Sequence, residues 1–289
     1  MKSLDQKLSH SKKVVVITGC SSGIGLALAQ GLPDKGYQVI ATVRNKSDRE
    51  HLEQQGLITL LLDLADSHSI DSAWHQILDI AGENLWGLIN NGAYGQPGAV
   101  EDLSRYCLRS QFETNVFGTQ ELTNLCLKEF RRFNQGRIIQ ISSILGRICM
   151  ANRGAYNASK YALEALSDTL RLELHDSDIH VSLIEPGPIE SRFRANALKA
   201  FKTHIDAENS WHQAHYASVI KRLSNSGNTP FTLPASAIVK PTSHALSSNR
   251  PRARYPVTVP TYVLPNIKRF LPDRMMDWIL RKSGDQPGK

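Results

Sequence analysis

Val14-Val15-Val16-Ile17-Thr18-Gly19-Cys20-Ser21-Ser22-Gly23-Ile24-Gly25, running on into Leu26-Ala27-Leu28-Ala29-Gln30, decides the fold. Its first part is an apolar, β-branched run, as expected of a strand buried on both faces. Its last part favours a helix. The glycines between them let backbone approach a pyrophosphate closely, and the helix amides and dipole stabilise that charge. Strand, glycine turn and helix start together predict a dinucleotide-binding unit, with Gly19, Ser21, Ser22, Gly23, Ile24 and Gly25 around the phosphates. The spacing is Gly-x-x-x-Gly-x-Gly, not Gly-x-Gly-x-x-Gly. A glycine-rich turn alone is weak evidence, but this one has the required strand before it and helix after it.

A second stretch carries the chemistry. Tyr156 and Lys160 are four residues apart in a sequence that favours a helix, so they project from one face. Ser143 lies thirteen residues before the tyrosine, at the end of Arg137-Ile138-Ile139-Gln140-Ile141-Ser142, which reads as a short buried strand. Tyrosine, lysine and serine together suggest acid–base work on a substrate oxygen. A neighbouring ammonium favours phenolate, so the tyrosine pKa is expected to fall from about 10. An ordinary surface Tyr/Lys pair has the same spacing, and the glycine turn is what favours the catalytic reading.

Together these stretches resemble the short-chain dehydrogenase/reductase family. Thr18-Gly-x-x-x-Gly23-Ile-Gly25, Ser143 and Tyr156-x-x-x-Lys160 stand as that family has them, and Asn90-Asn91, Asn115 and Pro186-Gly187 extend the likeness over roughly residues 12–195. Leu183–Ile189 and Arg254-Tyr-Pro-Val-Thr258 look like the branch holding bacterial NADPH-dependent aldehyde reductases and 17β-hydroxysteroid and retinol dehydrogenases. The resemblance implies an α/β fold, a Rossmann-type doubly wound parallel sheet in a single domain with a substrate lid and a helical C-terminal tail. It also implies a catalytic tetrad of Asn115, Ser143, Tyr156 and Lys160. Ser143 and Tyr156 would touch the substrate, while Tyr156 and Lys160 would also meet the cofactor. Asp63 inherits a contact with the adenine, with helix capping as the rival. Asn91 and Gly92 would lie against the ribose, although the family usually has Asn-Asn-Ala-Gly where this chain has Asn90-Asn91-Gly92-Ala93. Pro186, Gly187, Ile189 and Ser191 would surround the nicotinamide carboxamide.

The residue after the second strand, Tyr37–Val43, meets the adenosine ribose in such a fold. An acid there would accept a 2′-hydroxyl and repel a 2′-phosphate. The chain has Arg44, with Lys46 and Arg49 behind it and no acid before Asp48. A guanidinium grips a phosphate in a bidentate manner, so NADP(H) is expected over NAD(H).

At 289 residues the chain suits one large domain. Its four cysteines show no paired spacing and no metal pattern, and read as free thiols. The polar start has no apolar run of signal-peptide type, and no stretch approaches the ~20 apolar residues of a membrane span; a cytoplasmic protein is expected. The net charge of +7 falls wholly from Lys240 onward, where ten Lys/Arg face three acids. No nucleic-acid-binding motif accompanies it, so no nucleic-acid partner is expected.

The organisation expected is a polar arm (1–12), the main domain (13–262) with a lid at 195–233, and a basic amphipathic tail (263–289). Helices are expected over 69–81, 111–133, 156–175 and 234–248. Ile148, Met150 and Asn152 are candidates to border the substrate. His204, His212 and His215 lack carboxylate or cysteine companions at ligand spacing, and no metal is expected. Glu185, at a strand end, reads as structural. The alanine-rich helix after Tyr156 reads either as a homodimer or homotetramer face or as a buried intrachain face. Aromatics beside Lys268, Arg269, Arg274, Arg281 and Lys282 fit an anionic membrane surface, a cover over the substrate mouth or an oligomer face. The expected activity is NADP(H)-dependent interconversion of an apolar carbonyl and its alcohol, most simply aldehyde or carbonyl reduction. A hydroxysteroid or retinol dehydrogenase, a non-catalytic NADP(H) sensor and a sugar-nucleotide epimerase are the rivals. The last typically has Gly-x-x-Gly-x-x-Gly and a longer chain.

Overall fold

Apolar runs without a polar face need cover on both sides, and helices supply it. The computed structural model describes residues 12–224 and 230–283; of the expected arm only Lys12 lies within the described residues. The strands are β1 (Val14–Ile17), β2 (Gln38–Val43), β3 (Ile58–Leu61), β4 (Leu85–Asn90), β5 (Gln135–Ile141), β6 (Asp178–Glu185) and β7 (Arg254–Pro256). They form one parallel sheet in the order β3-β2-β1-β4-β5-β6-β7. The helices are α1 (Gly23–Gly31), α2 (Lys46–Gln54), α3 (Ser67–Ala81), α4 (Arg105–Phe112), α5 (Gly118–Phe133), α6 (Gly154–Glu173), α7 (Phe193–His204), α8 (Gln213–Ser224), α9 (Val239–Ser247), α10 (Val259–Phe270) and α11 (Asp273–Ser283). The arrangement is a single Rossmann-like domain.

Strand β1 shows how the layers are made. Val14 and Val16 point to the face covered by Ile70, Trp74 and Ile77 of α3 and Leu122, Cys126 and Phe130 of α5. Val15 and Ile17 point to the other face, under Leu28 and Ala29 of α1, Leu52 of α2 and Leu246 of α9. Because β2 and β4 flank β1, the strand order reverses there and opens a crevice at the carboxyl ends of the strands.

The expected helix over 111–133 is instead two helices, α4 and α5, joined by a π-helical turn at Glu113–Phe117. Gly118 then begins α5 against the backbone of Leu64, where a Cβ would lie 1.7 Å from the Leu64 carbonyl oxygen. Such turns carry an extra residue and recur at functional sites, and this one contains Asn115. The expected helix 234–248 opens as a 3₁₀ turn at Ala235–Ile238, before α9. The described part of the tail is two helices, the first beginning at Val259, four residues earlier than expected, and residues 284–289 of the expected tail lie outside the described residues.

Phe130 is buried, and its ring fills the space where Gly136 would carry a Cβ, 2.3 Å from the ring. Phe130→Ala should therefore leave a cavity between α5 and β5 and cost about 3–5 kcal/mol, measured as a fall in the denaturant midpoint with an unchanged m-value.

Candidate active site

The crevice is built from the ends of β1, β2, β4, β5 and β6. Gly19 and Gly23 have φ of +71° and +58°, which side-chain-bearing residues rarely adopt. A Cβ on Gly19 would lie 2.7 Å from Gly92 Cα, and one on Gly25 would lie 2.3 Å from the Gly19 carbonyl oxygen. The turn is thus held against the β4 end by contacts with no room for side chains. Thr18 locks it there: its hydroxyl accepts from the backbone N–H groups of Asn91 (2.9 Å) and Gly92 (2.8 Å). The Asn91 amide donates back to the carbonyls of Thr18 (2.8 Å) and Gly19 (3.0 Å). Asn91 therefore acts through the turn that it braces. A Cβ at Gly92 would lie 3.0 Å from Leu64 Cδ1 and 3.2 Å from Thr18 Oγ1, a tight fit that glycine relieves.

The four expected catalytic residues converge. The π-helical turn buries Asn115, whose amide donates to Tyr94 O (3.0 Å) and Ser159 Oγ (3.0 Å) while its oxygen accepts from Tyr94 N (3.1 Å). Ser159 in turn donates to Tyr156 O (2.8 Å). Lys160 is buried and donates to Ile141 O (2.8 Å). Ser143 accepts from Leu145 N, which fixes the turn after β5, and is hydrogen-bonded to Tyr156. Its neighbour Ser142 points away, donating to Glu164.

The charges differ from the sequence expectation. Burial pushes the Tyr156 hydroxyl up to about 12, against the opposing pulls of Ser143 and Arg153. Burial likewise pushes Lys160 down to about 8, and the Glu164 charge limits that fall. The expected fall in the tyrosine pKa is therefore reversed: removing the phenolate from water outweighs nearby positive charge. At neutral pH Tyr156 carries its proton and Lys160 is mostly an ammonium.

The cavity over this centre measures about 2020 Å³. Gly19, Ser21, Ser22, Gly23, Ile24, Arg44, Asn91, Gly92, Pro186, Gly187, Ile189 and Ser191 all line it. Gly25 is the structural support beneath. Asp63 is half-buried and its carboxylate accepts from Ala65 N (3.0 Å), whereas Leu62, Leu64 and Ala65 line the cavity; the cap of α3 is Asp66. Ile148 and Met150 border the cavity, while Asn152 bonds His215 (2.7 Å). The glycine cradle, with the positive end of α1 behind it, fits a dinucleotide pyrophosphate.

A short chain dehydrogenase model matches residues 13–201. The chain belongs to the short-chain dehydrogenase family. It is 41% identical to the oxidoreductase YbbO of Escherichia coli, over 93% of this chain and 94% of that one. It is 32% identical to an NADPH-dependent 3-dehydrocapnine reductase of Ornithobacterium rhinotracheale, over 93% and 96% of the two chains. A solved short-chain dehydrogenase from Streptomyces avermitilis superposes with a TM-score of 0.72 at 26% identity, covering 96% of this chain and all of that one. The family's members are oxidoreductases that use a nicotinamide cofactor on carbonyl and alcohol groups, and they are generally oligomeric.

Several contacts in this family member escaped the sequence. Phe193 packs on Tyr156 with ring centroids 5.2 Å apart, and Gly95 makes room for the pair. Leu233 N donates to Pro188 O (3.2 Å), and Glu190 N to Leu233 O (3.0 Å), so the segment after α8 is stitched to the turn after β6. The three histidines bond separately, His204 to Gln96, His212 to Glu101 and His215 to Asn152. Glu185 pairs with Arg147 (2.9 Å) and Arg254 (3.1 Å), as a structural charge would. These partners are distant in the sequence and share no spacing signal.

Gly25→Ala forces the turn apart. Overpacking of about 1–3 kcal/mol should weaken nicotinamide-cofactor binding roughly ten- to hundred-fold, measured by quenching of intrinsic fluorescence.

Proposed function

We propose that the protein is an NADP(H)-dependent carbonyl reductase acting on apolar aldehydes or ketones. The observation that carries this reading is the buried Tyr156 hydroxyl beside Ser143 in a cavity larger than the about 300–1,000 Å³ of an ordinary small-ligand pocket. A bound nicotinamide supplies the hydride. Ser143 holds the substrate carbonyl oxygen, and Tyr156 transfers its proton to that oxygen as the carbon is reduced. Lys160 binds the nicotinamide ribose and, as an ammonium, steadies the phenolate left on Tyr156. Asn115, bonded to Ser159 and thus to the backbone of Tyr156, fixes the helix that carries both. A sensor that turns nothing over has no need of all four residues.

Arg44 supports the choice of NADP(H). It follows β2, is exposed and lines the cavity. Arg49, behind it, is paired with Glu53 at 2.7 Å, and Asp48 accepts from Asn45 at 3.2 Å. The named Ornithobacterium relative is NADPH-dependent, which is consistent. The segment 195–233 is the substrate lid: α7 and α8 carry Ala197, Thr203 and Leu223 to the cavity wall. Leu166 and Leu172 are exposed on α6 and suit a homodimer face.

The surface of α10 and α11 belongs to the same reading. Val259 and Val263 are exposed at the cavity rim, and Phe270, Met275 and Trp278 are exposed beyond it. Arg269, Arg274, Arg281 and Lys282 stand exposed on the same two helices, with Lys282 over the Trp278 ring. Aromatics beside basic residues suit an anionic membrane surface, from which an apolar substrate enters the cavity. No described helix is long and apolar enough to cross a membrane.

Three measurements test these statements. Consumption of NADPH against short and long aldehydes, retinal and ketosteroids should show turnover, reduced roughly 10²–10⁴-fold in Tyr156→Phe; tight NADPH binding with no turnover of any carbonyl would favour the sensor. Arg44→Ala should lower NADPH affinity roughly ten- to hundred-fold, from loss of a charge-assisted contact of about 1.5–3 kcal/mol, and leave NADH affinity nearly constant. In co-sedimentation the protein should pellet with phosphatidylglycerol vesicles and not with phosphatidylcholine; equal behaviour with both removes the membrane surface from the reading.

A further inference from the structure

Beside the catalytic helix lies a group of charges that the reaction itself does not use, with Glu164 and Glu185 buried and Arg147, Asp168 and Arg254 half-buried. Glu164 follows Lys160 by one helical turn and is buried. One of its oxygens accepts from Ser142 (2.5 Å), the residue beside Ser143. The other accepts from both Nε (3.1 Å) and Nη2 (2.9 Å) of Arg254, which arrives from β7. Arg254 also donates to Asp168 (2.6 Å) and meets Glu185 at the end of β6 (3.1 Å). Arg147, from the turn after Ser143, closes the group on Glu185 (2.9 Å). A single carboxylate therefore touches the helix that carries Tyr156 and Lys160, the strand end that carries Ser143, and the last strand of the sheet.

A buried carboxylate is costly unless it is paired and hydrogen-bonded. A leucine here would fill space at less cost if only packing were needed. The place of the charge is informative: residues four apart on a helix are neighbours, so Glu164 is an anion beside the buried ammonium at Lys160. Gly146 makes room for it, since a Cβ there would come within 2.9 Å of Glu164 Cγ.

We propose that Glu164 is a positioning residue of the active site, which keeps Lys160 charged and ties the Ser143 strand end to the catalytic helix. Its effect is electrostatic and runs through Lys160 and Ser142, not through contact with substrate. The groups that face Lys160 and its surroundings are Tyr156 and Glu164 on its own helix, with Asp168 one further turn along, and Arg153 just before that helix. Ser142, Ser143 and the Ile141 carbonyl face it from β5, Glu185 from β6, Arg254 from β7 and Arg147 from the turn. Burial lowers the Lys160 pKa to about 8 and the Glu164 charge opposes the fall. Removing that charge must lower it further, so the ammonium is lost at a lower pH. Glu164 itself is raised by burial, then held down by Ser142 and Arg254 and pushed up by Glu185.

The inference rests on the reductase reading, and the pH dependence of kcat for carbonyl reduction by the whole chain tests it. In the wild type, kcat should fall as pH rises through about 8, where Lys160 loses its proton. Glu164→Gln should move that limb down by about one pH unit, lowering kcat at pH 8 by ~5-fold. Glu164→Asp retains the charge but withdraws it by one methylene, and should move the limb in the same direction by less than half as much. If the Gln variant fails to fold, the Asp variant still reads the effect. A limb unmoved in either folded variant, whatever its melting temperature, would make Glu164 purely structural and overturn the proposal. Absence of turnover in the wild type would instead overturn the reductase reading.

Discussion

Two stretches of backbone pressed together underlie everything else in this molecule. The glycine turn after β1 and the Asn91-Gly92 segment after β4 meet at distances that exclude side chains, and Thr18 and Asn91 bridge them with four hydrogen bonds. Because the turn is fixed to the neighbouring strand, the first amides of α1 point in a set direction. The same strand reversal places the ends of β5 and β6 opposite, so Ser143, Tyr156 and Lys160 share one crevice with the glycine turn. The sheet supplies rigidity, and the helices supply the cover that such a parallel sheet requires.

The acid–base centre shows what burial does. The same packing that orients Tyr156 against Ser143 and Phe193 also withdraws it from water, which keeps its proton in place. Lys160 is withdrawn too and remains charged through its surroundings rather than through solvent. A tyrosine in this condition is a proton donor in its resting form, and its conjugate base depends on neighbouring positive charge.

Much of this was legible in the sequence, for identifiable reasons. Strand β1, the turn and α1 are contiguous, and each obeys a local rule: β-branched residues for a buried strand, glycines for close approach, a helix former after them. Tyr156 and Lys160 are related by one helical turn, and resemblance supplied Ser143 and Asn115. What stayed hidden depends on distance along the chain or on burial. Glu164 and Arg254 lie ninety positions apart, and no local spacing pairs the two. The direction of the Tyr156 pKa is set by desolvation, which no sequence window displays. The π-helical turn at Glu113–Phe117 has no spacing signal of its own, and the close approach of Gly118 to the Leu64 backbone that follows it depends on residues far apart in the chain.

That turn also separates two of the apolar clusters among the described residues. An α-helix advances about 100° per residue, so one surplus residue rotates α4 out of phase with α5. Cys107 of α4 consequently faces the small cluster with Phe201 of α7 and Tyr216 of α8, while Leu122, Cys126 and Phe130 of α5 face the sheet. The packing of α4 on α7 and α8 is thereby set independently of the register of α5 on the sheet, with Asn115 at the joint between the two.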